Sequence, residues 1–124
     1  MLTVSEIMVR EVIPSLRAAI VKELIINHGM SQSEAAKRLG ITQPAISQYM
    51  RELRGSSNHK NIVRNPIVTN EVKKIADKIA SGVHDSLVFE FSSLCKMIKT
   101  NLLLCNVCRT YNPELAGCRV CATT

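Results

Sequence analysis

The sequence predicts an all-α protein. Three observations carry this. Apolar residues recur at three- and four-residue spacing in several stretches, capping and turn residues stand where those stretches should begin and end, and the one β-branched stretch, residues 62–68, contains Asn65 and Pro66 and reads as an extended connector rather than a strand. The C-terminus departs from this pattern. There a helical segment runs into a loop carrying four cysteines at metal-ligand spacing.

Residues 5–28 read as helical, with Ile7, Met8, Val12 and Ile13, then Leu16, Ile20, Leu24 and Ile25 as the apolar positions. Pro14 removes a backbone donor and disfavours helix at Ile13, so a break is expected there and a second helix from Ser15, with Pro14 near its first turn. Asn27-His28-Gly29 ends it, with His28 offsetting the helix dipole.

Ser31 and Glu34 stand at capping-box spacing, which opens a helix near Gln32. Gly40 follows Leu39 where a left-handed residue is needed, and Thr42 is a good N-cap for a second helix with Pro44 in its first turn. Ala35, Ala36, Leu39, Ile41, Ile46, Tyr49, Met50 and Leu53 would close one small core, with alanines where the two helices cross. Gln43, Ser47, Gln48 and Arg51 are left outward. These are base-reading side chains: glutamine pairs bidentately with adenine, arginine with guanine, and serine with either. Lys37, Arg38 and Arg54 are placed for phosphates.

Two helices so joined form a helix-turn-helix, and residues 1–55 resemble the Cro-repressor-like (XRE-type) regulators, more closely their small archaeal members. The resemblance rests on Gln32, Ala36, Gly40, Ile46 and the run Thr-Gln-Pro-Ala-Ile-Ser at 42–47. It implies that the helix from Gln43 lies in the major groove of double-stranded DNA. The candidate DNA contacts are Gln32, Lys37, Thr42, Gln43, Ser47, Gln48, Arg51 and Arg54.

Residues 56–68 read as a polar linker, which bounds the DNA-binding domain at 1–55. Residues 69–104 form a helical segment. In it Val72, Ile75, Ala76 and Ile79 line one helix that ends at Ser81-Gly82, and Leu87, Phe91, Leu94, Ile98 and Leu102 line another opened by His84-Asp85-Ser86. The second stripe, widened by Val88, Cys95 and Leu103, suits packing on the preceding helix and also a dimer seam. A homodimer is expected, since such proteins bind paired half-sites as symmetric dimers.

The tail, residues 105–124, holds Cys105-x-x-Cys108 and Cys118-x-x-Cys121 separated by nine residues, read as a loop with Pro113 and Gly117 as turn residues. Two such pairs can enclose one tetrahedral metal or an iron-sulfur cluster, and a tail this short needs the metal to fold. Arg109 after Cys108, where zinc knuckles carry a small residue, tilts the reading narrowly to an iron-sulfur cluster; structural zinc is the alternative, and a reversible disulfide switch ranks third. No other segment is long enough for a ligand pocket, so the thiolates are the available sensing chemistry and no small-molecule substrate is evident.

The formal charge of +6 and pI near 9.3 suit a polyanionic partner, and the excess lies mostly in the first half: nine Lys/Arg against five Asp/Glu up to Arg64. Tyr49, Phe89, Phe91 and Tyr111 are too few for a stacking platform on single strands. No run approaches the roughly 20 apolar residues of a membrane span and no leader pattern opens the chain, so a soluble, cytoplasmic protein is expected. An enzyme is not: the sequence has no phosphate loop, nucleophile motif or acid/base pair. The function that follows is a dimeric transcription regulator whose four-cysteine centre senses redox state or iron. The alternatives are the same regulator with structural zinc, and an antitoxin-like protein-interaction adaptor.

Overall fold

A computed structural model describes residues 2–55, 60–82, 87–101, 105–112 and 114, and every described element is helical. Thr3 caps α1 (Val4–Ile7) in a full capping box: its hydroxyl accepts from Glu6 N–H at 3.2 Å and its N–H donates to Glu6 Oε1 at 3.2 Å. The Thr3 hydroxyl also donates to Glu6 Oε1 at 2.9 Å, and this bond, with the one from Thr3 N–H, holds the Glu6 carboxyl below its usual pKa.

The break expected at Pro14 is absent. Helical geometry runs on through a π-helical segment, Met8–Val12, into α2 (Ile13–Ile26), with Pro14 in the first turn of α2. The wider turn is what accommodates the ring, because a regular α-helix would drive it into the carbonyl four residues back. Ser15 Oγ donates to the Glu11 carbonyl at 3.0 Å in the same turn. The gain is an unbroken apolar line, Met8, Val12, Leu16, Ile20 and Leu24, each at most 6% exposed.

Helix α2 is the spine on which α4 and α6 pack. The chain turns at Gly29 (φ +67°) and enters α3 (Gln32–Leu39), where Ser31 Oγ accepts from Glu34 N–H at 3.1 Å. The reciprocal half of that expected box is replaced by an ion pair along the helix, Arg38 Nε to Glu34 Oε1 at 2.9 Å. Gly40, at φ +68°, is the left-handed residue, and Ile41 N–H returns to the Ala36 carbonyl at 3.0 Å. Thr42 Oγ1 then accepts from Ala45 N–H at 3.3 Å and caps α4 (Gln43–Gly55).

The linker expected over 56–68 holds instead a short helix, α5 (Lys60–Arg64), with Ile62 buried, and the start of α6 (Pro66–Ala80). Asn65 and Pro66, taken as signs of extended chain, act as a helix start: Asn65 Oδ1 accepts from Ile67 N–H at 3.0 Å and Pro66 sits where no donor is needed. Val68, Val72, Ile75, Ala76 and Ile79 of α6 are buried.

Helix α7 (Leu87–Thr100) packs on α6 through Leu94 and Ile98, with Phe91 half-buried and a Lys78–Glu90 ion pair beside them. Val88, expected to widen the buried stripe, is 82% exposed, and Cys95 is half-buried, which pushes its thiol pKa up. The opening residues 84–86, Leu102 and Leu103 lie outside the described residues.

Helix α8 (Cys105–Tyr111) lies against α1 and extends into what was expected to be loop from Arg109. The Tyr111 hydroxyl donates to Glu11 Oε1, which raises its pKa above the ordinary tyrosine range. Asn112, 2% exposed, grips the other end of the chain: Leu2 N–H donates to its Oδ1 at 3.2 Å and its Nδ2 donates to the Leu2 carbonyl at 2.8 Å. Asn112→Ala strands both backbone groups. It is expected to lower unfolding free energy by about 1–3 kcal/mol in a urea titration and to speed amide exchange at the N-terminus.

Candidate nucleic-acid interface

Three helices hold the reading surface. Ala35 and Ala36 of α3 and Ile46 of α4 are buried, while Leu39, Ile41, Tyr49 and Met50 pack around them half-buried. Small side chains at the crossing let α3 and α4 approach closely, and α2 closes the core behind them. The Leu53 side chain lies outside the described residues.

With Ile46 turned inward, Gln43, Gln48 and Arg51 are exposed and Ser47 is half-exposed. The structure brings two pairs together. Ser47 Oγ donates to Gln32 Oε1 at 3.2 Å, joining the starts of the two helices across the turn. Arg51 Nη2 donates to Gln48 Oε1 at 3.0 Å, which steadies the guanidinium on the outer face. Thr42 and Lys37 are exposed, Thr42 with its hydroxyl engaged as the cap. The Arg54 side chain lies outside the described residues.

Arg38 is not placed for phosphate contact. Besides the Glu34 pair, its Nη1 donates to the carbonyls of Ile79 and Ala80 at 3.1 and 3.2 Å, so it closes the C-terminal end of α6 and ties that helix to α3. The same end is held from the turn after α2, where His28 Nε2 meets Asp77 Oδ1 at 2.8 Å. Neither long-range bond has a local sequence signal. The Glu34/Arg38 spacing of four does carry one, as an ion pair along a helix.

Of the four cysteines, the structure describes two. Cys105 is half-buried and Cys108 buried, three apart in α8; Cys118 and Cys121 lie outside the described residues. Among the described residues no three His, Cys, Asp or Glu side chains converge as a metal site.

The expectation that no ligand pocket forms is overturned. A cavity of about 470 Å³ lies between the helix-turn-helix and α6–α7. It is built by five elements converging, α2, α3, α4, α6 and α7, which is why no single segment announced it.

The helix-turn-helix family model matches residues 21–57, from the last turns of α2 through α3 and α4. Comparison with curated proteins and with solved structures finds no match. The chain therefore carries a helix-turn-helix domain on an all-helical frame, which points to a DNA-binding transcription regulator. No helix among the described residues is long and apolar enough to cross a membrane.

Proposed function

We propose that this protein regulates transcription as a homodimer that reads a specific duplex sequence with α4, and that Cys105, Cys108, Cys118 and Cys121 ligate an iron-sulfur cluster that reports redox state or iron. The observation that carries the reading is the outer face of α4, where amide, hydroxyl and guanidinium groups stand one turn apart on a helix whose inner face is locked by Ile46. Gln43, Gln48 and Arg51 have the donor and acceptor sets for base edges in the major groove, and Lys37 and Arg54 the charge for phosphates. Gln32 and Thr42 position this face from the helix starts, Gln32 through Ser47.

A second copy accounts for Phe89, 75% exposed on α7, and a two-fold pair would present two α4 helices to half-sites about 34 Å apart. Sedimentation of wild type and Phe89→Ser tests this: a dimer weakened by the substitution is expected, and a monomeric wild type contradicts it.

The thiolate donors suit iron or zinc, and Cys108 sits against the apolar core, the shell that shields a cluster. A bound cluster would supply sensitivity to oxidant; zinc would supply folding alone. What this chain's residues contribute is the linkage. Tyr111 and Asn112 stand three and four residues after Cys108 and bond Glu11 and Leu2, so order in the tail is transmitted to the start of the long N-terminal helix that becomes α2. Anaerobically purified protein is expected to show visible charge-transfer absorption and iron that is lost in air. A colourless protein with one zinc per chain would make the tail structural and leave the DNA reading intact. Duplex affinity with and without the metal at fixed salt tests sensing: equal affinities would remove it.

A further inference from the structure

The cavity between the helix-turn-helix and α6–α7 has the size of a small-molecule site, since such pockets run from roughly 300 to 1,000 Å³. Its floor is apolar and buried: Ile20, Val21, Ile75 and Ile79 are each at most 4% exposed. Its rim is apolar as well, with Phe91 and Tyr49 half-buried and Val88 82% exposed. A branched aliphatic side chain left in water beside an apolar cavity is a surface that an occupant would cover.

Two cations stand on this apolar wall, Arg17 and Arg38. They differ in their commitments. Arg38 spends Nε and Nη1 on Glu34 and the ends of α6, which fixes the plane of its guanidinium. Arg17, on α2, is exposed and has no hydrogen bond or ion pair among the described residues. Glu34 neutralises Arg38 from outside the cavity, and among the described lining residues no carboxylate faces Arg17. Apolar walls with one uncompensated guanidinium, Arg17, complement one chemistry, an apolar body bearing a single anionic group. A planar carboxylate is what an arginine fork recognises best.

We propose that this cavity is an effector site for a hydrophobic carboxylate, whose apolar body lies on Ile20, Ile75 and Phe91 and whose carboxylate is held by Arg17 beside the fixed guanidinium of Arg38. The cavity is also lined by Leu39 and Ile41 of the inter-helix turn and by Tyr49 of α4, while its far wall is α6–α7. An occupant therefore bridges the recognition pair and the C-terminal helices, and biases how α3 and α4 sit on α2. This coupling rests on the DNA reading proposed above; the binding site itself does not.

The test uses the full chain and two probes of like shape, 4-phenylbutyrate and neutral 4-phenyl-1-butanol, in titration calorimetry. The acid is expected to bind one per chain, about tenfold or more tighter than the alcohol. Arg17→Gln, which alters an exposed residue with no bonded partner among the described residues, should erase that margin and leave the alcohol unchanged. Val88→Asp should weaken both. No binding of the acid, equal affinity for acid and alcohol, or a margin that survives Arg17→Gln overturns the assignment. In the second arm, saturating acid is expected to change duplex affinity about fivefold or more at fixed salt, in wild type and not in Arg17→Gln. Unchanged duplex affinity with acid bound overturns the effector role. A wild type that binds acid but no duplex overturns the DNA reading and leaves the site standing.

Discussion

Ile46→Ala is expected to lower the free energy of unfolding by about 2–5 kcal/mol, read as a fall in the urea midpoint at unchanged slope. Ile46 is fully buried, and it is the one described side chain of α4 inside the core. Its removal leaves a cavity where α4 packs on α2 and α3, beside the small side chains of Ala35 and Ala36. That cost is a large fraction of the 5–15 kcal/mol typical of a small domain. Duplex binding should fall with it and return on conditions that restore folding. Gln43→Ala, three residues away on the exposed face, should stay within about 0.5 kcal/mol of wild type in stability. A similar urea midpoint for the two variants would mean that Ile46 does not anchor the helix.

Arg51→Ala is expected to act on sequence choice. The guanidinium is exposed on α4 and steadied by Gln48, so truncation removes a bidentate donor and costs about 1–3 kcal/mol at one base pair, with little cost elsewhere in the site. Lys37→Ala should weaken all duplexes alike and reduce the salt slope by about one phosphate. Competition assays with single-base variants of a bound duplex separate these effects. If Lys37→Ala alters base preference and Arg51→Ala does not, the outward face of α4 has been assigned wrongly.

Where a feature is local, it could be read in the residues. Ser31, Gly40 and Thr42 act through bonds to backbone at most five positions away, and the structure shows the cap, the left-handed turn and the second cap that their identities imply. The buried set of α6 follows the same logic of helical spacing. Features needing two elements were hidden. Pro14 reads as a break because its ring excludes an α-turn, and nothing nearby reveals that a π-helical turn, stabilised by burial of Met8 and Val12, would absorb it. Asn65-Pro66 is ambiguous for a related reason, since the same pair opens a helix or a connector according to whether Val68 and Val72 find a core. Arg38 shows the difference at the candidate site. Composition marks it as a phosphate contact, but its position opposite the end of α6 commits it to carbonyl groups. The cavity has no sequence signature at all, because its walls come from five helices.

The most direct measurement is selection of bound sequences from a pool of random duplexes by the purified wild-type chain at fixed salt. Enrichment of a defined sequence, arranged as two half-sites about 34 Å apart, is the result predicted, with the preference altered at one position in each half by Gln43→Ala. A pool that stays random under wild type, or an enriched sequence that Gln43→Ala leaves unchanged at every position, would contradict duplex reading by α4.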